Sequence, residues 1–213
     1  MPLVLGAAIG LRWTIPQRVL GGLMAFGAGT MIAAASEELF GPAFEVGPAL
    51  VVGSALLAGA AVYVSASHLI ATRLGPAAVG WALMLGAVLD GVPENTALGV
   101  SMSGSSVALL VAIIVGNTPE AIGSGASLKA HLGATRGLLM WTAVGVVLVV
   151  VTMAAYGAAD TLGETKIAAA QAFAGGATIA VLAGTLMPEA FKDSGWWVGL
   201  ATVLGFLVAY LLG

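Results

Sequence analysis

Leu89-Asp90-Gly91-Val92-Pro93-Glu94-Asn95 stands inside an apolar run from Ala78 to about Val100, and Gly116-Asn117-Thr118-Pro119-Glu120 inside the next, from Ser105 to Leu128. These two stretches decide how the chain is read. Each run is long enough to cross a bilayer as a helix, which takes roughly 20 apolar residues. Each nevertheless carries acid near its middle, where an ionised carboxylate costs at least about 2.5–3.5 kcal/mol. Neither run contains a Lys or Arg to offset that cost. Asp90, Glu94 and Glu120 must therefore be protonated, face water or hold a cation.

Spacing favours the cation. Asp90 and Glu94 are four residues apart and Asn117 and Glu120 three apart, so each pair shares one helix face. A proline precedes each glutamate, and proline removes the backbone bond to the carbonyl four residues back, here Leu89 and Val115. Interrupted helices in transporters present such carbonyls to ions. Ser124 and Ser127 extend the polar face of the second run, and Ser101 and Ser103 end the first.

The rest of the chain fits a membrane setting. Of 213 residues, 60% are hydrophobic and 8% charged, and the mean hydropathy is +1.06. That excludes a soluble globular domain, a disordered chain and a nucleic-acid binder. With no cysteine, disulfides, thiolate metal sites and cysteine nucleophiles are excluded too. The 31 glycines suit close helix packing in lipid.

The apolar runs predict an all-α polytopic bundle of eight transmembrane helices in one domain, residues 1–213. The spans are Pro2 to about Leu11, about Val19 to Ser36, Pro48 to Thr72, Ala78 to about Val100, Ser105 to Leu128, Gly137 to Ala158, Ile167 to about Met187, and Trp196 to Leu212. The first span is about half as long as a bilayer requires and is read as part of a helix that starts before Met1. A signal peptide fits less well, because Arg12 and Arg18 follow the apolar run and no basic residue precedes it. Six of the seven Lys and Arg residues (Arg12, Arg18, Arg73, Lys129, Arg136 and Lys192) fall on one side of this arrangement, and only Lys166 on the other. The positive-inside rule then puts both termini outside. Trp13, Trp196 and Trp197 read as interfacial anchors.

A third Pro-Glu, Met187-Pro188-Glu189, closes span 7. Span 7 also resembles span 2: Ala25-Phe26-Gly27-Ala28-Gly29-Thr30-Met31-Ile32-Ala33 aligns with Ala172-Phe173-Ala174-Gly175-Gly176-Ala177-Thr178-Ile179-Ala180. Spans 2 and 7 run in opposite directions in the eight-span arrangement, as do spans 4 and 5. That pattern is the signature of an inverted repeat with its site at the midplane.

Taken together, the paired motifs and the topology resemble the ZIP (Zrt/Irt-like) divalent metal transporters over nearly the whole chain. The resemblance implies eight spans in a 3+2+3 inverted repeat, with a transport site formed by His-Asn-x-Pro-Glu-like motifs in spans 4 and 5. Carried onto this sequence, it implies Asp90, Glu94, Asn117 and Glu120 as metal ligands, Glu94 and Glu120 being candidates for bridging. The sequence departs from the family pattern in several places: Asp90 replaces a histidine, Gly91 an asparagine, and Gly116 the first ligand of span 5. Span 6 has no acid, and the histidine-rich loop between spans 3 and 4 is absent. The resemblance implies Zn²⁺ as the transported ion, and the oxygen-rich ligand set also admits Mn²⁺ or Fe²⁺. It implies no resident cofactor and permits a homodimer.

Three carboxylates against one divalent ion leave one excess negative charge. One of them is therefore expected to carry a proton that metal binding displaces, so binding should strengthen between pH 5.5 and 7.5. Secondary candidates are Glu37 and Glu38 at the outer face, Ser124 on span 5, and His131 with Glu189 and Asp193 at the inner face. Against a metal transporter stand a transporter of another cationic substrate, a non-transporting scaffold and an intramembrane enzyme. An organic-cation path should be aromatic, and Trp81 is the one aromatic residue in spans 4 and 5. An aspartyl protease needs a second intramembrane aspartate, and a metallohydrolase wants histidines that these spans lack. The chain is accordingly read as a non-enzyme of the cell membrane.

Overall fold

A computed structural model describes residues 2–74, 88, 91–92, 94–100, 107–159 and 161–212. Among them every regular element is helical. α1 spans Pro2–Arg12 and α2 Gln17–Ala34. A π-helical turn, Ala35–Phe40, carries α2 into α3, Gly41–Val46. α4 spans Ala49–Leu74, α5 Val107–Leu132 and α6 Ala134–Ala159. α7, Glu164–Val181, passes through a second π turn, Leu182–Leu186, into α8, Met187–Ser194, and α9 spans Val198–Leu212. Residues 94–100 are helical as well. Gly133, with φ 79°, lets α5 turn into α6 through a single residue.

Among the described residues four helices are long and apolar enough to cross a membrane: Gln17–Val46, Ala49–Arg73, Ala134–Ala159 and Glu164–Ser194. The chain is thus an all-helical integral membrane protein. Its outward faces confirm the apolar setting. Leu50 and Leu57 on α4, Leu139, Val146 and Met153 on α6, and Leu200, Val203 and Leu211 on α9 are all exposed, which water would penalise and lipid does not. The buried faces of α2 and α7 are instead lined by small residues: Gly21, Gly22, Ala25, Gly27, Ala28 and Gly29 on α2, and Ala172, Ala174, Gly175, Gly176 and Ala177 on α7. Small side chains let these two helices occupy the middle of the bundle.

Helix α2 with its continuation, and helix α7 with its own, run further than expected. Span 2 was expected to end near Ser36 and span 7 near Met187, yet both stay helical, to Val46 and Ser194. The π turns explain this. Pro42 and Pro188 lie in the first turn of α3 and α8, where a missing N–H is tolerated. Just before them Gly41 N–H donates to Ser36 O and Met187 N–H to Leu182 O, five residues back. The ladder widens by one residue instead of breaking at proline.

The two helices also meet their partners in the same way. A methyl at Gly29 of α2 would overlap Thr202 O of α9, and one at Gly176 of α7 would overlap Leu56 O of α4. Conversely, a methyl at Gly205 of α9 would overlap Phe26 O, and one at Gly59 of α4 would overlap Phe173 O. Phe26 and Gly29 are the residues that align with Phe173 and Gly176 in the sequence comparison. A further pair ties the Pro-Glu helices to the outer ones. A Cβ at Gly125 of α5 would stand 2.5 Å from Ala7 O of α1, and a Cβ at Gly99 would stand 2.5 Å from Thr152 O of α6.

α2 and α7 are antiparallel. Ser194 Oγ, at the end of α8, donates to Arg18 O at the start of α2 (2.7 Å). Gln171 Nε2, early in α7, donates to Glu38 O late in the α2 segment (3.4 Å). Gly137 at the start of α6 packs against Leu11 and Leu128 at the ends of α1 and α5. α4 runs beside α7 in the same direction, Val52 meeting Ala168 and Tyr63 meeting Val181. Arg12, Arg18, Arg73, Lys129, Arg136 and Lys192 therefore collect at one end of the bundle. Lys166 lies at the other, with Glu37, Glu38, Glu45 and Glu164. Trp13 and Trp196 are exposed near the basic end.

Candidate metal-binding site

The two Pro-Glu segments meet in the interior. Glu94 is 2% exposed and Asn117 3%, and Asn117 Nδ2 donates to Glu94 Oε2 at 2.7 Å. This bond joins the helical segment 94–100 to α5. An ionised acceptor makes it stronger than a neutral pair. It also orients the amide: with Nδ2 turned to the carboxylate, Oδ1 points elsewhere, and that oxygen is buried without a partner.

Local sequence explains how each side chain is held. Pro119 lies within α5, so Val115 O receives no bond from position 119. That carbonyl lies against Gly27 of α2: a Cβ at Gly27 would stand 2.9 Å from Val115 O and 2.7 Å from the Gly116 Cα. Glycine on both sides lets α2 come this close to the freed carbonyl. On the other segment, Asn95 Nδ2 donates to Gly91 O (2.8 Å) and Thr96 Oγ1 to Val92 O (2.8 Å). Thr152 Oγ1 of α6 donates to Asn95 Oδ1 (3.1 Å). Thr118 Oγ1 donates to Ile114 O. The helix around Glu94 is thus fastened to α6 and to its own backbone, while Glu94 itself faces α5.

The space beside two glycines of the paired motifs is filled by neighbours. A Cβ at Gly116 would run into the Met31 side chain, its Cγ 2.9 Å away. A Cβ at Gly91 would stand 2.9 Å from Leu148 Cδ1. Apolar side chains of α2 and α6 thus pack where a side chain at position 116 or 91 would stand.

Of the residues singled out in the sequence, the structure brings together Glu94 and Asn117. Asp90 lies outside the described residues, as do the side chains of Glu120 and His131. Among the described residues no three His, Asp or Glu side chains cluster. Ser124, one turn beyond Glu120 on α5, is 1% exposed and its hydroxyl has no partner. Glu37 is exposed and Glu38 half-buried on the first π turn, at the acidic end. Glu189 is half-buried on α8 at the basic end. Glu37 and Glu38 lie at one end of the bundle and Glu189 at the other, away from Glu94.

Sequence reasoning passed over Thr178. It is 3% exposed, its hydroxyl is unpartnered, and it shares a cavity with Glu94. The available signal was the alignment of span 2 with span 7, which sets Thr178 opposite Met31. Both residues line that cavity.

No protein-family model matches the chain, and no curated protein matches it.

Proposed function

We propose that the chain is a ZIP-like transporter of divalent metal cations. In this reading Zn²⁺, or Mn²⁺ or Fe²⁺, crosses the membrane through a carboxylate-rich site between spans 4 and 5. The observation that carries the reading is the Asn117–Glu94 bond. It joins a buried carboxylate to a buried amide whose oxygen is left without a partner, and such groups are costly within a membrane unless they serve an ion. Asp90 and Glu120 are further acids in the same two apolar runs of the sequence. Bound Zn²⁺, Mn²⁺ or Fe²⁺ is cargo here, held by oxygens weakly enough to leave.

The proposed arrangement is eight spans in a 3+2+3 inverted repeat, with both termini outside. The matching glycine contacts of α2 with α9 and of α7 with α4 support the repeat. The gathering of six basic residues at one end supports the orientation. Transport then proceeds inward by rocking of α1, α5 and α6 against the group built on α2, α4, α7 and α9. The chain carries out no covalent chemistry in this reading.

The test is uptake into proteoliposomes, with Zn²⁺, Mn²⁺, Fe²⁺ and Mg²⁺ in competition. A Glu94→Ala/Glu120→Ala double variant should abolish uptake of the preferred ion. Uptake indifferent to that variant would overturn the proposal.

A further inference from the structure

We infer that the groove between α2 and α9 holds an anionic phospholipid from the leaflet at the basic end of the bundle. Arg18 receives its phosphate, and the apolar walls receive an acyl chain. The inference stands on the membrane setting of the chain and does not depend on the transport reading.

The groove follows from how the two helices cross. Their backbones touch where Gly205 meets Phe26 O and where Gly29 meets Thr202 O. Nearer the basic end Trp197, just ahead of α9, stands against Gly22 of α2, where a methyl would overlap the indole ring. An indole needs more room than two touching backbones, and a groove of about 560 Å³ opens beside it. α2 lines this groove with Arg18, Val19, Leu23 and Phe26, and α9 with Leu200 and Leu204. Val19, Leu23, Leu200 and Leu204 are exposed, so in a bilayer they face lipid and the occupant must be apolar along their length. Phe26 follows Arg18 by eight residues, which is roughly 12 Å of helix. One leaflet supplies about 15 Å of hydrocarbon, so the groove lies within a single leaflet.

Charge then selects among lipids. Arg18 is exposed at the polar end of the groove. Among the described residues no carboxylate pairs with its guanidinium. Asp193 packs against Gly21, which does not line the groove. The first turn of α2 has neither an acid nor a capping side chain, so the helix dipole adds to the positive potential. A guanidinium fork suits a phosphate. A zwitterionic lipid brings its own cation to that phosphate, whereas an anionic lipid leaves a net charge for Arg18 to match.

The test uses the full chain in micelles doped equally with phosphatidylglycerol and phosphatidylcholine of the same acyl chains. Retained lipid is counted by native mass spectrometry. The parent should keep one phosphatidylglycerol per chain, preferred about fivefold, the usual scale for one basic residue at an anionic surface. Arg18→Gln should abolish the preference and leave the Tm in phosphatidylcholine unchanged. Arg12→Gln, at the same end but outside the groove, should keep the preference. Leu204→Trp fills the apolar wall from an exposed position and should lower retention of both lipids. The two arginine variants decide the matter if Leu204→Trp does not fold.

Equal retention of both lipids by the parent would overturn the inference. So would an equal loss of preference in Arg12→Gln and Arg18→Gln, which assigns the effect to diffuse surface charge. Retention indifferent to Leu204→Trp would remove the acyl-chain site. A parent dimer that Leu204→Trp separates, read by light scattering, would give the groove to a second copy of the chain instead.

Discussion

The α2/α9 and α7/α4 crossings are built alike, yet the polar residues beside them differ. Gly29 and Gly205 let α2 and α9 touch backbone to backbone, and Gly176 and Gly59 do the same for α7 and α4. Both central helices then widen into a π turn ahead of a proline. The polar residues do not repeat. Met31 stands where α7 has Thr178, and Gly91 where α5 has Asn117. A close helix crossing needs only the absence of a side chain, so one solution serves both halves. In the proposed reading a small ion needs one set of donors, so a second set would be surplus charge and polarity in lipid.

The largest expected effect tests the equivalence of the crossings. Gly29→Val and Gly176→Val each drive a side chain into a backbone carbonyl, Thr202 O and Leu56 O, which cannot swing aside. Each should cost at least about 3 kcal/mol, read as loss of monodisperse protein in detergent. A large gap between the two variants would break the comparison.

Next comes the asymmetry at the site. Asn117→Ala removes the donor to Glu94 and an amide oxygen. It should lower ion uptake at least tenfold, in keeping with about 1.5–3 kcal/mol for a hydrogen bond to a charged group. Leu148→Ala, beside the glycine in the corresponding position on the other helix, should leave the ion preference unchanged in the same competition assay.

A smaller effect belongs to one crossing only. Tyr63 OH and Thr185 Oγ1 share a hydrogen bond (2.8 Å) between α4 and the second π turn. Buried Ala209 sits in the matching place on α9. Tyr63→Phe should destabilise by about 0.6–1.5 kcal/mol, the range for interhelical bonds in membranes, with no counterpart at α2/α9. Smallest of all, Gly53→Ala meets nothing within 4 Å. It should leave thermal stability within about 0.5 kcal/mol of the parent, which shows that position and not glycine content sets the sensitivity at Gly29 and Gly176.

Much of this was legible in the residues. The apolar runs of α4, α6 and α9 gave their extents closely, because a helix in lipid has no competing way to satisfy its backbone. Glu94 and Asn117 stood out because polar groups at that depth demand a partner. The helical extensions to Val46 and Ser194 were not legible. Glu37, Glu38 and Pro42, like Pro188 and Glu189, look like a helix end, and only a widened turn lets the helix pass them. Thr178 was hidden for another reason. A threonine in an Ala/Gly-rich helix ordinarily bonds its own backbone, and nothing local says that this one does not.

The sequence alone determined that the chain is helical and lies in a membrane, and that acid recurs beside proline on two neighbouring spans. Those properties follow from transfer energies and periodicity, which act residue by residue. Only the tertiary structure decided that Asn117 reaches Glu94, that Met31 fills the space at Gly116, and that Thr178 and Glu94 line the same small cavity. Those are distances between helices far apart along the chain, and they are set by how closely glycine lets the backbones approach.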